Sequence, residues 1–215
     1  IPEFNLRDNW NSLKGFLSNN KPIQFWLFKD LEDPNYSQVF LMPHVEFNNI
    51  YDGLTLGGKV YNKTILRKGF NYKFTPKYGT KSKTLTGSAS LSMSQNLEGS
   101  NLYNFSYGIS GKYGAYGPDL FARVISPSLT FRYRDDSNFR SNKYQALSFR
   151  YLDITKDPDL NNITNNNEPD YAVFNAQFVD TNPGLVNFYK WFADFQLSKK
   201  FGKIAVNYEY RKLFE

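Results

Sequence analysis

Polar and apolar residues alternate without a break along the stretch TLTGSASLSMSQ, residues 84–95. Leu85, Ala89 and Leu91 share one parity, and threonines and serines occupy the other. Because successive side chains of a strand point to opposite faces of a sheet, the alternation predicts a β-strand with one apolar and one polar face. In a soluble sandwich the apolar face packs on a second sheet. In a membrane barrel it meets lipid, and the polar face lines a wet lumen.

The same period-two pattern recurs from Gln38 onward and predicts ten strands joined mostly by short turns. The predicted strands span residues 38–47, 54–63, 70–79, 83–96, 101–115, 122–135, 142–155, 170–180, 189–200 and 203–212. Most of them reach the roughly 9 to 11 residues that a tilted strand needs to cross a bilayer. Strands of soluble domains more often have about five or six residues. Strand length therefore favours an antiparallel up-and-down transmembrane β-barrel over a soluble sandwich.

The two faces of these strands carry different residues. The face predicted to point outward carries Leu85, Leu91, Phe105, Phe131, Phe174 and Tyr208. The face predicted to point inward carries Ser88, Ser106, Thr130, Asn175 and Asn207, with the charged residues Lys73, Lys77, Arg132 and Arg150. Charges at such positions suit a wet lumen. Pro43, Pro76 and Pro127 stand at apolar positions inside predicted strands, where a missing N–H predicts a bulge or a strand edge.

The beginning of the chain follows a different pattern. Residues 1–36 are predicted to form a linker segment, and residues 37–215 the strands of the barrel. Within the linker, Leu6, Trp10, Leu13 and Leu17 recur at helical spacing after Asp8, a good helix cap, and IQFWLF at 23–28 is a candidate for one more strand. One connection, residues 156–169, is long and polar, and is predicted to be an extracellular loop.

Composition narrows the class of protein. The 215 residues include 20 phenylalanines and 16 tyrosines, which suit aromatic belts at membrane interfaces, yet mean hydropathy is only −0.57. No run approaches the roughly 20 apolar residues of a membrane helix, which excludes a helical membrane protein. The net charge of +6 is spread along the chain, so no nucleic-acid partner is predicted. Since Ile1 is not an initiator methionine, the chain is expected to be processed or part of something longer.

Residues for catalysis are not recognisable in this chain. It has no cysteine, and His44 is the only histidine, so neither HExxH nor a thiolate site is present. The glycine-rich GKYGAYG at 111–117 lacks the Lys-Ser/Thr pair of a phosphate loop. We therefore predict no catalytic, cofactor-binding or metal-ligating residue, and we interpret His44 as a polar-face neighbour of Glu46.

Several strings carry a resemblance to a known family. They are LFKDLEDP (27–34), NIYDGLTLGGKVYNKT (49–64), TPKYGTKSKTLTGS (75–88), EGSNLYNFSYGISG (98–111), FRYRDDSNFRSNKYQ (131–145) and DYAVFNAQFVDTNPGLVN (170–187). Together they resemble the C-terminal outer-membrane barrel region of Bacteroidota proteins whose N-terminal part is a gluzincin, an aminopeptidase-N-like zinc metallopeptidase. The resemblance covers nearly the whole chain.

The resemblance implies several properties. It implies a place in the bacterial outer membrane, with lipid, lipopolysaccharide and other outer-membrane proteins as partners. It places any zinc in an upstream domain and none in this chain, and it implies further strands after Glu215.

Three functions remain open on the sequence. The chain is a membrane anchor or scaffold of a larger peptidase-like protein or outer-membrane complex, the membrane part of an enzyme whose catalytic domain lies elsewhere, or a soluble β-sandwich or lipocalin-like ligand-binding domain. Strand length favours the first two, and the lack of a recognisable site favours the anchor.

Overall fold

The structure, a computed structural model, describes residues 21–29, 31–33, 35–62, 69–97, 100–134, 142–158 and 170–214. These residues form eleven β-strands and contain no helix. The strands are β1 (Ile23–Leu27), β2 (Ser37–Asn49), β3 (Gly53–Tyr61), β4 (Phe70–Gly79), β5 (Leu85–Asn96), β6 (Leu102–Gly117), β7 (Leu120–Tyr133), β8 (Tyr144–Lys156), β9 (Tyr171–Pro183), β10 (Asn187–Ser198) and β11 (Gly202–Lys212). The predicted all-β class is confirmed, and β2 to β11 match the ten predicted strands to within a few residues at each end.

All eleven strands belong to one sheet, in which each strand lies beside its neighbours in the sequence. The pairs β2–β3, β3–β4, β4–β5, β8–β9, β9–β10 and β10–β11 are antiparallel, as expected for an up-and-down order. The first strand departs from that order, because β1 runs parallel to β2. Phe28, directly after β1, adopts a left-handed conformation with φ of 61°, and Ser37 at the start of β2 lies opposite Ile23 at the start of β1. There the amide of Ser37 donates to the carbonyl of Pro22 at 3.1 Å.

The chain divides into two compact units. The first draws on Ile1–Met93, Ser110–Arg123 and Lys156–Asn165, and the second on Ser94–Ile109, Val124–Thr155 and Asn166–Glu215. Strands β1 to β4 and most of β5 therefore belong to the first unit, and β9, β10 and β11 to the second.

In the first unit, a row of prolines and glycines crosses four strands. Pro43 of β2 pairs with Gly58 of β3, and Pro76 of β4 pairs with Gly87 of β5. Between β3 and β4, Gly57 pairs with Lys77 and Val60 pairs with Phe74. This register places Gly58 of β3 opposite Pro76 of β4, so the row continues from one pair of strands to the next. Two of the three prolines predicted at apolar positions, Pro43 and Pro76, thus stand next to glycines in line across the sheet.

The strands approach one another closely beside this row. A Cβ atom added to Gly57 would lie 2.1 Å from the carbonyl oxygen of Pro76, and one added to Gly87 would lie 2.2 Å from that of Thr75. Gly87 also has a φ of 144°, which side-chain-bearing residues rarely adopt. Glycine at these two positions is therefore required by the backbone of the neighbouring strand.

A buried carboxylate holds the turn between β2 and β3 in place. Asp52 is 0% exposed, and its side chain accepts hydrogen bonds from Asn48 Nδ2 at 2.6 Å and Ser82 Oγ at 2.8 Å. It also accepts one from the amide of Ala115 in β6 at 3.3 Å, and its own carbonyl accepts one from the amide of Lys81. One side chain thereby joins two turns and a strand that are far apart in the sequence.

Two predictions fall on residues outside the described ranges. They are the helix on Leu6, Trp10, Leu13 and Leu17, and most of the loop at 156–169. Within the described ranges, no helix is long and apolar enough to cross a membrane.

Candidate functional site

An exposed apolar face covers the sheet of the first unit. In register, Val45 lies opposite Leu56, Leu56 opposite Tyr78, and Tyr78 opposite Leu85, so one line of apolar side chains crosses β2 to β5. These four side chains are 62%, 46%, 46% and 66% exposed, in that order. In β1, Phe25 pairs with Val39 and is 68% exposed. The face is therefore continuous across the strands and uncovered.

A row of aromatic rings lies on the apolar face of the second unit. The ring centroids of Phe105 and Phe131 lie 5.1 Å apart, those of Phe131 and Phe149 6.4 Å, and those of Phe149 and Phe174 6.2 Å. This row of four rings crosses β6 to β9, one ring from each strand. Distances in this range are those at which aromatic pairs attract each other.

The apolar face of the second unit extends to the last strand. Phe174 pairs with Leu197 and Ala193 pairs with Val206, and Val206 is 64% exposed. Trp191 packs on Tyr208 with ring centroids 4.6 Å apart, although both side chains are about half exposed. Of the six residues predicted to point outward, all lie on the apolar face, and Phe105 and Phe131 are partly covered by the ring row.

More polar than hydrophobic residues are buried in the part of the chain that the structure describes. The buried polar residues are Gln38, Asp52, Thr55, Asn62, Thr75, Thr86, Asn104, Ser126, Thr181 and Asp194. The buried hydrophobic residues are Phe40, Tyr61, Met93, Ala115 and Ala146. In soluble proteins, large apolar residues are the ones most often buried. Here many large apolar residues of the strands are exposed, and ten of the described polar residues are buried.

The opposite face carries a charged cluster in the first unit. Glu46 receives a contact from Lys77 Nζ on one carboxylate oxygen and lies 2.8 Å from His44 Nε2 on the other. Gly57 stands between His44 and Lys77 in register, and its missing side chain leaves room for Lys77 to reach across β3. His44 thus lies beside Glu46, as the sequence suggested. The cluster links β2 to β4.

Basic side chains lie beside this cluster on the same face. Lys59 Nζ sits 4.9 Å from the centre of the Tyr61 ring, and Tyr61 stacks on Phe40 at 5.4 Å. Lys73 stands directly opposite Tyr61 on β4, with Ser90 as its partner on β5. Lys59 therefore lies over the Tyr61 ring and Lys73 neighbours Tyr61 in register, and both rings of the Phe40–Tyr61 pair are buried.

Amides, hydroxyls and charges form hydrogen-bonded pairs on the polar face of the second unit. Asp194 accepts hydrogen bonds from Asn175 Nδ2 at 2.5 Å and Gln196 Nε2 at 2.8 Å. Arg150 Nε donates to Ser126 Oγ at 2.8 Å. The hydroxyls of Thr130 and Ser148 are 3.2 Å apart. These residues come from β7 to β10, so the polar contacts follow the face from strand to strand.

The part of the chain that the structure describes contains no set of side chains suited to bind a metal ion. There, no group of three or more His, Asp or Glu side chains could hold a metal ion. The expectation that the chain has no catalytic, cofactor-binding or metal residue stays a prediction.

Comparison with protein-family models, with curated proteins and with solved structures finds no match to this chain. The candidate site is accordingly defined by its geometry: an exposed apolar face and an opposite polar face that is rich in basic residues.

Sequence reasoning found part of this site. It placed His44, Glu46, Lys73 and Lys77 on one face by parity. It gave no sign of the central part that Asp52 plays in the first unit. In the sequence, the signal of a tightly constrained turn is Gly53, the residue after Asp52. In the structure Gly53 has a φ of 68°.

Proposed function

We propose that the chain is part of an outer-membrane β-barrel that anchors a larger protein, with the apolar face against lipid and the polar face toward a wet interior. The observation that carries the proposal is the uncovered line from Val45 through Leu56 and Tyr78 to Leu85. Alternation of lipid-facing and lumen-facing residues is the pattern of membrane strands.

The alternative, a soluble sandwich or lipocalin-like binder, requires a cover for that face. Monomeric soluble proteins rarely expose contiguous apolar patches larger than roughly a few hundred Å². In lipid the same exposure is favourable, since removing a Val, Leu or Phe side chain from water contributes about 1.5–3 kcal/mol. The enclosed polar residues of the opposite face, such as Thr75 and Thr86, also suit a hydrated interior more than a dry core.

The strands support a spanning role by their length. From β4 to β11, each strand has between 10 and 16 residues, enough to cross a bilayer at a tilt. An open edge is not tolerated in hydrocarbon, because each unpaired backbone group costs several kcal/mol. The proposal therefore requires that both end strands of the sheet, β1 and β11, have strand partners in the membrane.

The anchored protein is proposed from the sequence strings alone. Their resemblance to the barrel region of gluzincin-type proteins points to a zinc peptidase domain upstream, and to lipid, lipopolysaccharide and other outer-membrane proteins as partners. An HExxH motif in the full open reading frame would support this part of the proposal, and its absence would leave an anchor without a peptidase.

Two tryptophans on opposite faces provide the test. Trp191 lies on the apolar face, whereas Trp26 pairs with Phe40 on the other face and its indole nitrogen is buried. Two variants of the full chain, Trp10→Phe/Trp26→Phe and Trp10→Phe/Trp191→Phe, each keep one of these reporters. They are reconstituted in vesicles of phosphatidylcholine with brominated acyl chains.

We expect bromine to quench the fluorescence of Trp191 strongly and that of Trp26 weakly. The refolded chain should also migrate differently in gels before and after heating, as membrane barrels do. A chain that stays monomeric in buffer without detergent, with neither tryptophan quenched, would support the soluble alternative and overturn the proposal.

A further inference from the structure

We propose that the polar face of the sheet conducts small anions in preference to cations. This inference rests on the proposed function, since it needs the polar face to line a water-filled interior. It goes further by assigning that interior an activity and a class of ligand, namely small inorganic anions.

The first observation is the charge on the polar face of the first unit. In β2 to β5, this face carries Lys59, Lys73 and Lys77 against one carboxylate, Glu46. Glu46 is already engaged by Lys77 and His44. In the described part of the chain, no carboxylate lies within salt-bridge distance of Lys59 or Lys73. Their positive charges are therefore uncompensated.

The geometry keeps these two charges at the surface of the face. Lys59 rests over the Tyr61 ring at 4.9 Å, an attraction that fixes the side chain without cancelling its charge. Lys73 is exposed and stands between Tyr61 and Ser90. An anion that passes this face would meet two ammonium groups and a serine hydroxyl.

The polar face of the second unit has the same bias, independently. In β8 to β11 it carries Arg150, Lys190, Lys203 and Arg211 against Asp194 and Glu209. Glu209 lies 3.3 Å from Arg211 and opposite Lys190, and Asp194 is occupied by two side-chain amides. Arg150 donates a hydrogen bond to a neutral serine and not to a carboxylate.

Both units are thus more basic on this face than the chain as a whole, which has 26 basic and 20 acidic residues. A water path with low-dielectric walls focuses the field of the charges that line it, which raises the local concentration of counter-ions. Lysine and arginine side chains serve this purpose in anion pores, and lumen substitutions tune the selectivity of barrels.

The test measures ion selectivity of the full chain in planar lipid bilayers. The reversal potential is recorded across a KCl gradient and gives the ratio of chloride to potassium permeability. The informative variant is Lys59→Gln/Lys73→Gln, which removes the two uncompensated charges. The control is Lys199→Gln/Lys200→Gln, which removes the same charge from the exposed turn between β10 and β11.

We expect the unaltered chain and the turn control to favour chloride, and the Lys59→Gln/Lys73→Gln variant to lose a large part of that preference. An inserted, lipid-quenched chain that conducts no ions, favours potassium, or shifts equally in both variants would overturn the inference and leave the anchor standing. A chain that fails the tryptophan quenching test would overturn the anchor itself, so the two failures are distinguishable.

Discussion

Substitution of Gly57 by alanine should destabilise the sheet far more than the same change one residue later. A Cβ at position 57 would lie 2.1 Å from the Pro76 carbonyl oxygen and 2.9 Å from Lys77 Cα. These are backbone atoms of β4, so the strand itself has to move. At Gly58, the nearest atom to the added Cβ is the Met42 carbonyl oxygen at 3.9 Å, an ordinary contact.

The magnitude follows from these distances. Forcing an extra methyl group into a packed site costs about 1–3 kcal/mol, and movement of β4 would also weaken the contact between Lys77 and Glu46. Where the native backbone accepts a side chain, glycine-to-alanine substitution stabilises by about 0.4–1 kcal/mol, since it restricts the unfolded chain. The free energies of unfolding of Gly57→Ala and Gly58→Ala should therefore differ by roughly 1.5–4 kcal/mol.

Urea unfolding of the full chain in detergent micelles, followed by tryptophan fluorescence, measures this difference. Gly87→Ala should resemble Gly57→Ala, because its Cβ would meet the Thr75 carbonyl at 2.2 Å and its φ is 144°. Equal midpoints for Gly57→Ala and Gly58→Ala would refute the close approach of β3 and β4. So would a larger loss for Gly58→Ala.

Three further outcomes are expected. Asp52→Ala should cost about 3–5 kcal/mol in the same unfolding assay, because it leaves the donors of three hydrogen bonds without an acceptor; a loss below about 1 kcal/mol would contradict its role. Leu91→Arg should cost about 2–4 kcal/mol in lipid while Ser90→Arg is tolerated, and equal costs would argue for a sandwich. His44→Ala should leave any peptidase activity of the parent protein unchanged in a hydrolysis assay, and a loss of activity in a correctly inserted protein would contradict the anchor role.

The strands were predictable because alternation is a local property. Apolar and polar residues that alternate with a period of two over ten or more residues, as from Leu85 to Asn96, indicate a β-strand. The alternation therefore predicts both where the strand lies in the sequence and which face each side chain is on. The parallel pairing of β1 was not predictable. Phe28, directly after β1, has a left-handed conformation, and its residue type gives no hint of positive φ.

For the candidate site, the sequence predicted which face of the sheet each residue lies on, but not which residues are in contact. Parity placed Glu46 and Lys77 on one face, but their contact depends on the register of three strands and on a missing side chain at Gly57. The hydrogen bond from Ala115 to Asp52 joins residues with 62 others between them, and no local pattern encodes it. Such contacts depend on how all the strands pair and on their register, and the alternation of polar and apolar residues does not specify either.

The row from Pro43 and Gly58 to Pro76 and Gly87 has a consequence for how the strands find their partners. A slip of two residues between neighbouring strands leaves every side chain on its proper face, so alternation alone does not resist such an error. In a slipped pairing, a proline without an N–H would oppose a residue that needs a hydrogen-bond partner. The close approach at Gly57 would then meet a side chain. The row of prolines and glycines thus fixes the register of β2 to β5, because the native register is more stable than registers shifted by two residues.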